Sequence, residues 1–437
     1  MKGHSVLPPK GARFHVMAKP VGAMCNLRCR TCYYLHKTEL LGSAPGQQMS
    51  LDVLDAYIRQ NIEGQDYPDI VFSWQGGEPT LMGLDFYRQA VEMQRQYCPP
   101  HKRCHNDLQT NGMLLNDEWC DFLAQHDFLV GLSIDGPKVL HDPFRPDAAG
   151  RGTWDAVCAA AARLKKHGVK FNTLTCVHAG NARRPLDVYR FLRRDLGSTR
   201  LQFIPVVEPR DFNLRAPGQT PGLPGTTNSS SVPGTVEVSA ALPRLGAPHS
   251  VPGTVDSVVT DWSVAPEDWA YFMCKVFDEW YARDIGKVYV YYFETAVAQW
   301  LGLPSGMCTM APACGKALAL EHDGSLYSCD HFVYPEFRLG SILEKPLHEM
   351  IFSPRQEKFG ADKSARLPRR CRECPWLFAC HGECPKNRII ATPDGEPGLN
   401  YLCEGWRTYF AHIDTRVRDL ATRVGRPVLQ NYLRGDM

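Results

Sequence analysis

Between residues 14 and 206, short apolar runs rich in β-formers alternate with longer stretches of helical spacing. Repeated βα units around a parallel sheet leave this pattern in a sequence. The runs predict six strands, over 14–20, 70–74, 104–109, 129–134, 169–177 and 201–206, with helices such as 51–62 and 153–167 between them. Each strand runs straight into a polar or glycine-bearing segment: GAMCNLRC, QGGEPT, QTNG, DGP, HAGN and VEPR. Active sites of parallel barrels lie where the strands end, so these segments are expected to converge on one mouth. The predicted class is therefore α/β, a partial TIM-like (β/α)6 barrel. The pattern alone leaves a doubly wound open sheet as the alternative.

From 209 to 262 the texture changes to Pro, Gly, Ser and Thr, and SVPGTV occurs at 231–236 and again at 250–255. So few large apolar residues cannot offset the entropy of ordering the chain, which predicts a flexible insertion. A tolerated surface loop is expected here in preference to a lid. Helical spacing resumes over 266–283, and a cysteine-rich block of short elements fills 308–403. Within it, LEHDGSLYSCD predicts a tight hairpin turning at Asp323 and Gly324. Residues 404–423 predict an amphipathic helix packed back on the body.

A chain of 437 residues suits one large catalytic domain with an extension. Its 49 Lys and Arg against 47 Asp and Glu leave a net charge of only +2, which gives no reason to expect a nucleic-acid or anionic-membrane partner. The start, MKGHSVLPPKGARFHV, lacks the apolar core of a signal peptide, and no apolar run is long enough to span a bilayer. A cytoplasmic location is expected. There the 17 cysteines stay reduced, free for metal binding or catalysis.

Cys25, Cys29 and Cys32 form C-x3-C-x2-C on the loop after the first strand. Three thiolates on a 4Fe-4S cube leave one iron open for a substrate or cofactor, whereas a closed zinc site takes four ligands. A zinc ion completed by His36 or a remote residue is the alternative. The loop resembles that of the radical S-adenosylmethionine superfamily, in which the open iron chelates the cofactor's amino and carboxylate groups. Gln75-Gly76-Gly77-Glu78-Pro79 after the second strand matches the family's GGEP motif. There, glycines let backbone approach the methionyl moiety without a Cβ in the way.

LSIDGP, HDPFR and FIPVVE are similar to segments of the sulfatase-maturating branch of that superfamily. The resemblance implies that Ser133, Arg145 and Val206 help hold the cofactor. Thr31 stands where the family usually places an aromatic against adenine. Cys308, Cys314, Cys329, Cys371, Cys374, Cys380, Cys384 and Cys403 resemble the SPASM extension of peptide-modifying radical enzymes. By that resemblance Cys308, Cys314, Cys329 and Cys384 hold one auxiliary cluster, and Cys371, Cys374, Cys380 and Cys403 the other. Two structural zincs are the alternative for this block taken alone.

The implied organisation is a radical barrel over 1–208, the insertion at 209–262, a helical connector at 263–307, a SPASM domain at 308–403 and a C-terminal helix and tail at 404–437. The implied cofactors are three 4Fe-4S clusters and S-adenosylmethionine. The implied reaction oxidises a Cys or Ser of a sulfatase, within CxPxR or SxPxR, to formylglycine. Asp330 serves as the base and flavodoxin or ferredoxin as the electron donor. Two rivals remain at this level: a SPASM enzyme that crosslinks a ribosomal peptide, and a non-enzymatic zinc scaffold.

Overall fold

The computed structural model describes residues 9–42, 46–217, 252–254 and 257–434. Most of the Pro/Gly/Ser-rich stretch, including the first SVPGTV repeat, lies outside the described residues. Six strands run parallel in chain order: β1 (His15–Lys19), β2 (Asp69–Trp74), β3 (Arg103–Thr110), β4 (Leu129–Ser133), β5 (Phe171–Val177) and β6 (Arg200–Pro205). The order never reverses, so there is no switch point of the doubly wound kind. The predicted helices form, as Leu51–Glu63, Trp154–Lys166 and Pro266–Arg283. Ser50 accepts the Val53 amide at 3.3 Å to open helix Leu51–Glu63, which buries Val53, Leu54, Tyr57, Ile58 and Ile62 at helical spacing.

Register decides which side chains enter the barrel. Met17 pairs with Ser73, Ser73 with Asp107, Asp107 with Leu129, Ser133 with Leu174, and Leu174 with Gln202. Paired residues of parallel strands share a face, and the side-chain period is two. Phe72 and Trp74 therefore face the helices, where Tyr57 meets their rings at 5.5 and 5.8 Å. Lys19, Ser73, Asp107, Ser133 and Cys176 face inward. The lumen is thus partly polar, and the Ser73 hydroxyl donates to half-buried Asp107, whose carboxyl desolvation pushes up to about 6.

The sheet grows past the six strands at both edges. A short β7 (Tyr289–Val290) pairs with β6. At the other edge the cysteine-rich block contributes β8 (Ala317–Glu321), which lies parallel to β1 with Lys19 opposite Glu321. β9 (Ser325–Tyr327) and β10 (Arg338–Ser341) follow antiparallel. The hairpin turns where expected: Gly324 has φ +84° and donates its amide to Glu321 at 3.0 Å.

Helix Cys403–Arg434 packs on helices Pro266–Arg283 and Tyr291–Trp300, with Trp406 against Trp269 and Tyr292 at 5.2 and 5.1 Å. Gly405 permits that approach, since a Cβ there would lie 2.3 Å from the Pro266 carbonyl oxygen. Gly405→Val is expected to cost about 1–3 kcal/mol, seen as a fall of about 1–3 °C in the thermal midpoint of the iron-loaded protein. No described helix is long and apolar enough to cross a membrane.

Candidate active site

The loop after β1 is held from three sides. Gly77 and Glu78 donate their amides to the carbonyls of Gly22 and Met24, both at 2.8 Å. Asn111, in QTNG, donates to Asn26 at 2.7 Å, and the amides of Arg28 and Arg30 reach the carbonyls of Pro146 and Phe144 at 2.9 Å each. The segments after β2, β3 and β4 therefore converge on one loop, as the strand pattern predicts. The need for glycine at 76 and 77 comes from this loop's own backbone. A Cβ on Gly77 would lie 1.9 Å from the Met24 oxygen, and one on Gly76, at φ +122°, would lie 2.8 Å from the Gly22 oxygen.

Within the loop, the Leu27 amide donates to Cys25 Sγ at 3.3 Å and the Tyr34 amide to Cys32 Sγ at 3.4 Å. Burial pushes the Cys25 thiol up to about 11 and the Cys29 thiol up to about 12. Such sulfurs become thiolates only with a cation to compensate them, and amides aimed at sulfur favour that charged form. The soft donor set suits iron. Among the described residues no three His, Cys, Asp or Glu gather tightly enough for a single metal ion.

Of the residues expected to hold S-adenosylmethionine, Gly77 and Glu78 bond to this loop and Arg145 acts on its Cys29. Arg145 is buried, pairs with both oxygens of Asp135 at 2.6 and 3.0 Å, and donates to Cys176 Sγ at 3.4 Å. It is also among the charges acting on Cys29. Its guanidinium, with the neighbouring His178, holds the Asp135 carboxyl well below the usual range despite complete burial. Ser133 and Val206 close the inner ends of β4 and β6, and Thr31 is buried between Cys29 and Cys32. Glu78 reaches the loop through its amide. Its carboxylate is committed elsewhere, accepting from Thr80, from Thr110 at 2.7 Å and from the Asn111 amide at 2.8 Å.

The C-terminal thiols gather in two groups. Cys371, Cys374, Cys380 and Cys403 line one pocket with Trp376, Trp406 and Phe410. Cys308, Cys329 and Cys384 act on one another electrostatically, and Cys314 on Cys308. Cys380 and Cys384 go to different groups although only three residues separate them. Between them His381, Gly382 and Glu383 all have positive φ, at 47°, 71° and 52°, which reverses the chain. Glu383, fully buried, is held there by Asn387 and Asn400 at 2.9 and 2.7 Å. Two buried cations serve the thiols: Lys363 beside Cys308, Cys314 and Cys384, and Arg388 between Cys371 and Cys384.

Asp330 lies where the two halves meet. One carboxylate oxygen pairs with Lys19, and the other accepts from the Tyr33 hydroxyl. Burial alone would raise its carboxyl, yet the adjacent Lys19 charge holds it below the usual value. Nearby, Lys386 pairs with buried Glu208 and donates to the Val207 carbonyl at 2.8 Å, tying the end of β6 to the segment after Cys384. Sequence reasoning missed Lys19, Glu208, Lys363, Lys386 and Arg388. Only Lys386 and Arg388, in CPKNR, carry the local trace of lying just after a cluster cysteine.

Comparison with known proteins agrees with this geometry. Residues 20–192 match the Radical SAM superfamily, and residues 308–375 match the SPASM iron-sulfur cluster-binding domain. The chain is 42% identical to a serine-type anaerobic sulfatase-maturating enzyme of Bacteroides thetaiotaomicron, over 93% of this chain and 90% of that one. It is 34% identical to the serine-type enzyme of Klebsiella aerogenes, over 93% and 86% of the two chains. It is 28% identical to the cysteine-type enzyme of Clostridium perfringens, over 94% and 98%. The solved structure of native anSMEcpe with bound AdoMet and Cp18Cys peptide superimposes with a TM-score of 0.76 at 28% identity, covering 94% of this chain and 100% of that one. A barrel with a three-thiol loop and eight further clustered thiols defines a radical S-adenosylmethionine enzyme of the SPASM type. The chain belongs to the anaerobic sulfatase-maturating enzymes, which sets aside the zinc scaffold and the crosslinking enzyme.

Proposed function

We propose that this chain oxidises a serine of a sulfatase SxPxR motif to formylglycine, with Asp330 as the base. The enzyme generates formylglycine by radical chemistry, using three 4Fe-4S clusters and S-adenosylmethionine. Serine is favoured because identity to the serine-type relatives is 42% and 34%, against 28% for the cysteine-type. When bound, these groups supply the one-electron chemistry: a 5′-deoxyadenosyl radical that takes one hydrogen from the substrate Cβ, and an acceptor for the second electron.

The chain's own part is to bind, orient and remove a proton. Cys25, Cys29 and Cys32 hold the radical cluster; Cys308, Cys314, Cys329 and Cys384, with Cys371, Cys374, Cys380 and Cys403, hold the auxiliary pair. Gly76, Gly77, Glu78, Ser133, Arg145, Val206 and Thr31 form the cofactor's surroundings. Asp330 takes the hydroxyl proton as the carbon is oxidised. The single observation that supports it is a buried carboxylate, kept ionised by Lys19, beside an auxiliary-cluster cysteine and facing the barrel residue Tyr33. Flavodoxin or ferredoxin delivers the electron, and eleven cysteines committed to cluster ligation suit a reducing, cytoplasmic setting.

The test is Asp330→Asn with SxPxR and CxPxR peptides. The amide is nearly isosteric but cannot take a proton. The variant should keep full iron and still form 5′-deoxyadenosine, while formylglycine falls on the order of a hundredfold or more. A near wild-type yield would remove Asp330 from the base role, and turnover of CxPxR alone would overturn the serine assignment.

A further inference from the structure

We infer that Lys19 is a positioning residue for the oxidation, aiming the Asp330 carboxylate from the barrel side; its role depends on Asp330 being the base. Lys19 is the last residue of β1 and faces inward by register. Its side chain is 1% exposed, pairs with Asp330 Oδ1, lies 3.4 Å from Gln75 Oε1, and stands over the Tyr34 ring at 4.5 Å. Tyr33 takes the other oxygen, so each oxygen has a partner on the barrel side although Asp330 itself follows β9.

Lys19 is a rigid donor for three reasons. Its backbone is fixed between β2 and β8, with Ala18 opposite Trp74 and Lys19 opposite Glu321. Its carbonyl accepts the Gly22 amide at 2.9 Å and so opens the cluster loop. The Gly76 backbone packs against it, so closely that a Cβ there would lie 3.3 Å from the Lys19 Cα. One residue thus refers the carboxylate to the loop that carries Cys25, Cys29 and Cys32. A buried ammonium is costly without a partner, and a carboxylate that loses one of two tethers is free to turn away. For a proton transfer, loss of aim is loss of rate.

The experiment uses reconstituted enzyme and an SxPxR peptide, and measures formylglycine per 5′-deoxyadenosine alongside iron content. Lys19→Met should keep its iron and still cleave S-adenosylmethionine while that ratio falls about tenfold or more. Lys19→Arg, which keeps a charged donor, should recover most of the ratio. In an Asp330→Asn background, Lys19→Met should lower the residual ratio no further, because both changes remove one interaction. An unchanged ratio in Lys19→Met, or an equal loss in the Asp330→Asn background, overturns the inference. A wild-type ratio in Asp330→Asn alone overturns the base assignment, and with it any action of Lys19 through Asp330. If Lys19→Met loses iron, Lys19→Gln takes its place under the same two criteria.

Discussion

Replacing Cys25, Cys29 and Cys32 together by alanine should abolish 5′-deoxyadenosine formation while leaving about eight of about twelve irons in place. The eight thiols assigned to the auxiliary clusters lie beyond residue 307, and four of them line a pocket that no cysteine of the loop lines. The fold should persist because the loop is held by backbone, not by sulfur. The amides of Gly77, Glu78, Arg28 and Arg30 make their bonds whether or not the thiols are present. The measurement is iron content with anaerobic S-adenosylmethionine cleavage under a strong reductant. Continued cleavage by the triple variant would mean that the cofactor's site lies elsewhere. Loss of all the iron would mean that the loop supports the auxiliary clusters.

Gly77→Ala should come close to that result without touching a ligand. The added Cβ would meet the Met24 oxygen at 1.9 Å, the Met24 carbonyl carbon at 2.5 Å and the Ala23 carbonyl carbon at 2.7 Å. All three are backbone atoms, so no side chain can swing aside. Either the end of β2 or the cluster loop must move, and the paired amide bonds to Gly22 and Met24 go with it. Overpacking of this kind costs about 1–3 kcal/mol or more, borne here by the loop that aims three thiols. We expect about four irons lost and cofactor cleavage reduced on the order of a hundredfold. Gly306→Ala is the control, since a Cβ there meets nothing within 4 Å. Full iron and a normal rate in Gly77→Ala would show that strand and loop can part without consequence.

The strands were legible because a parallel sheet buries its strands between turn-forming segments. The expected run at 129–134 became Leu129–Ser133, and 201–206 became Arg200–Pro205. The helix at 266–283 appears as Pro266–Arg283, opened by proline in its first turn. The three-thiol loop and the eight later thiols were legible because ligand spacing is local. The hairpin at Asp323 and Gly324 was legible as a hairpin, but not as an extension of the barrel sheet. Nothing in its few residues says which open edge will take it.

What the sequence determined by itself was the class of fold, the elements and the three-thiol loop, which rest on periodicity, turn chemistry and short-range spacing, all properties of neighbouring residues. The split of the eight later thiols and the chemistry they carry came only with the family resemblance. Only the tertiary structure decided that β8 pairs with β1 and so sets Glu321 opposite Lys19, that the turn at His381–Glu383 sets Cys380 among the Cys371 and Cys403 thiols and Cys384 beside Cys308, and that Asp330 meets Lys19 and Tyr33. Lys19 and Asp330 are 311 positions apart in the chain. Charges so distant meet only when two separately patterned halves fold against each other, and burial then makes their pairing obligatory.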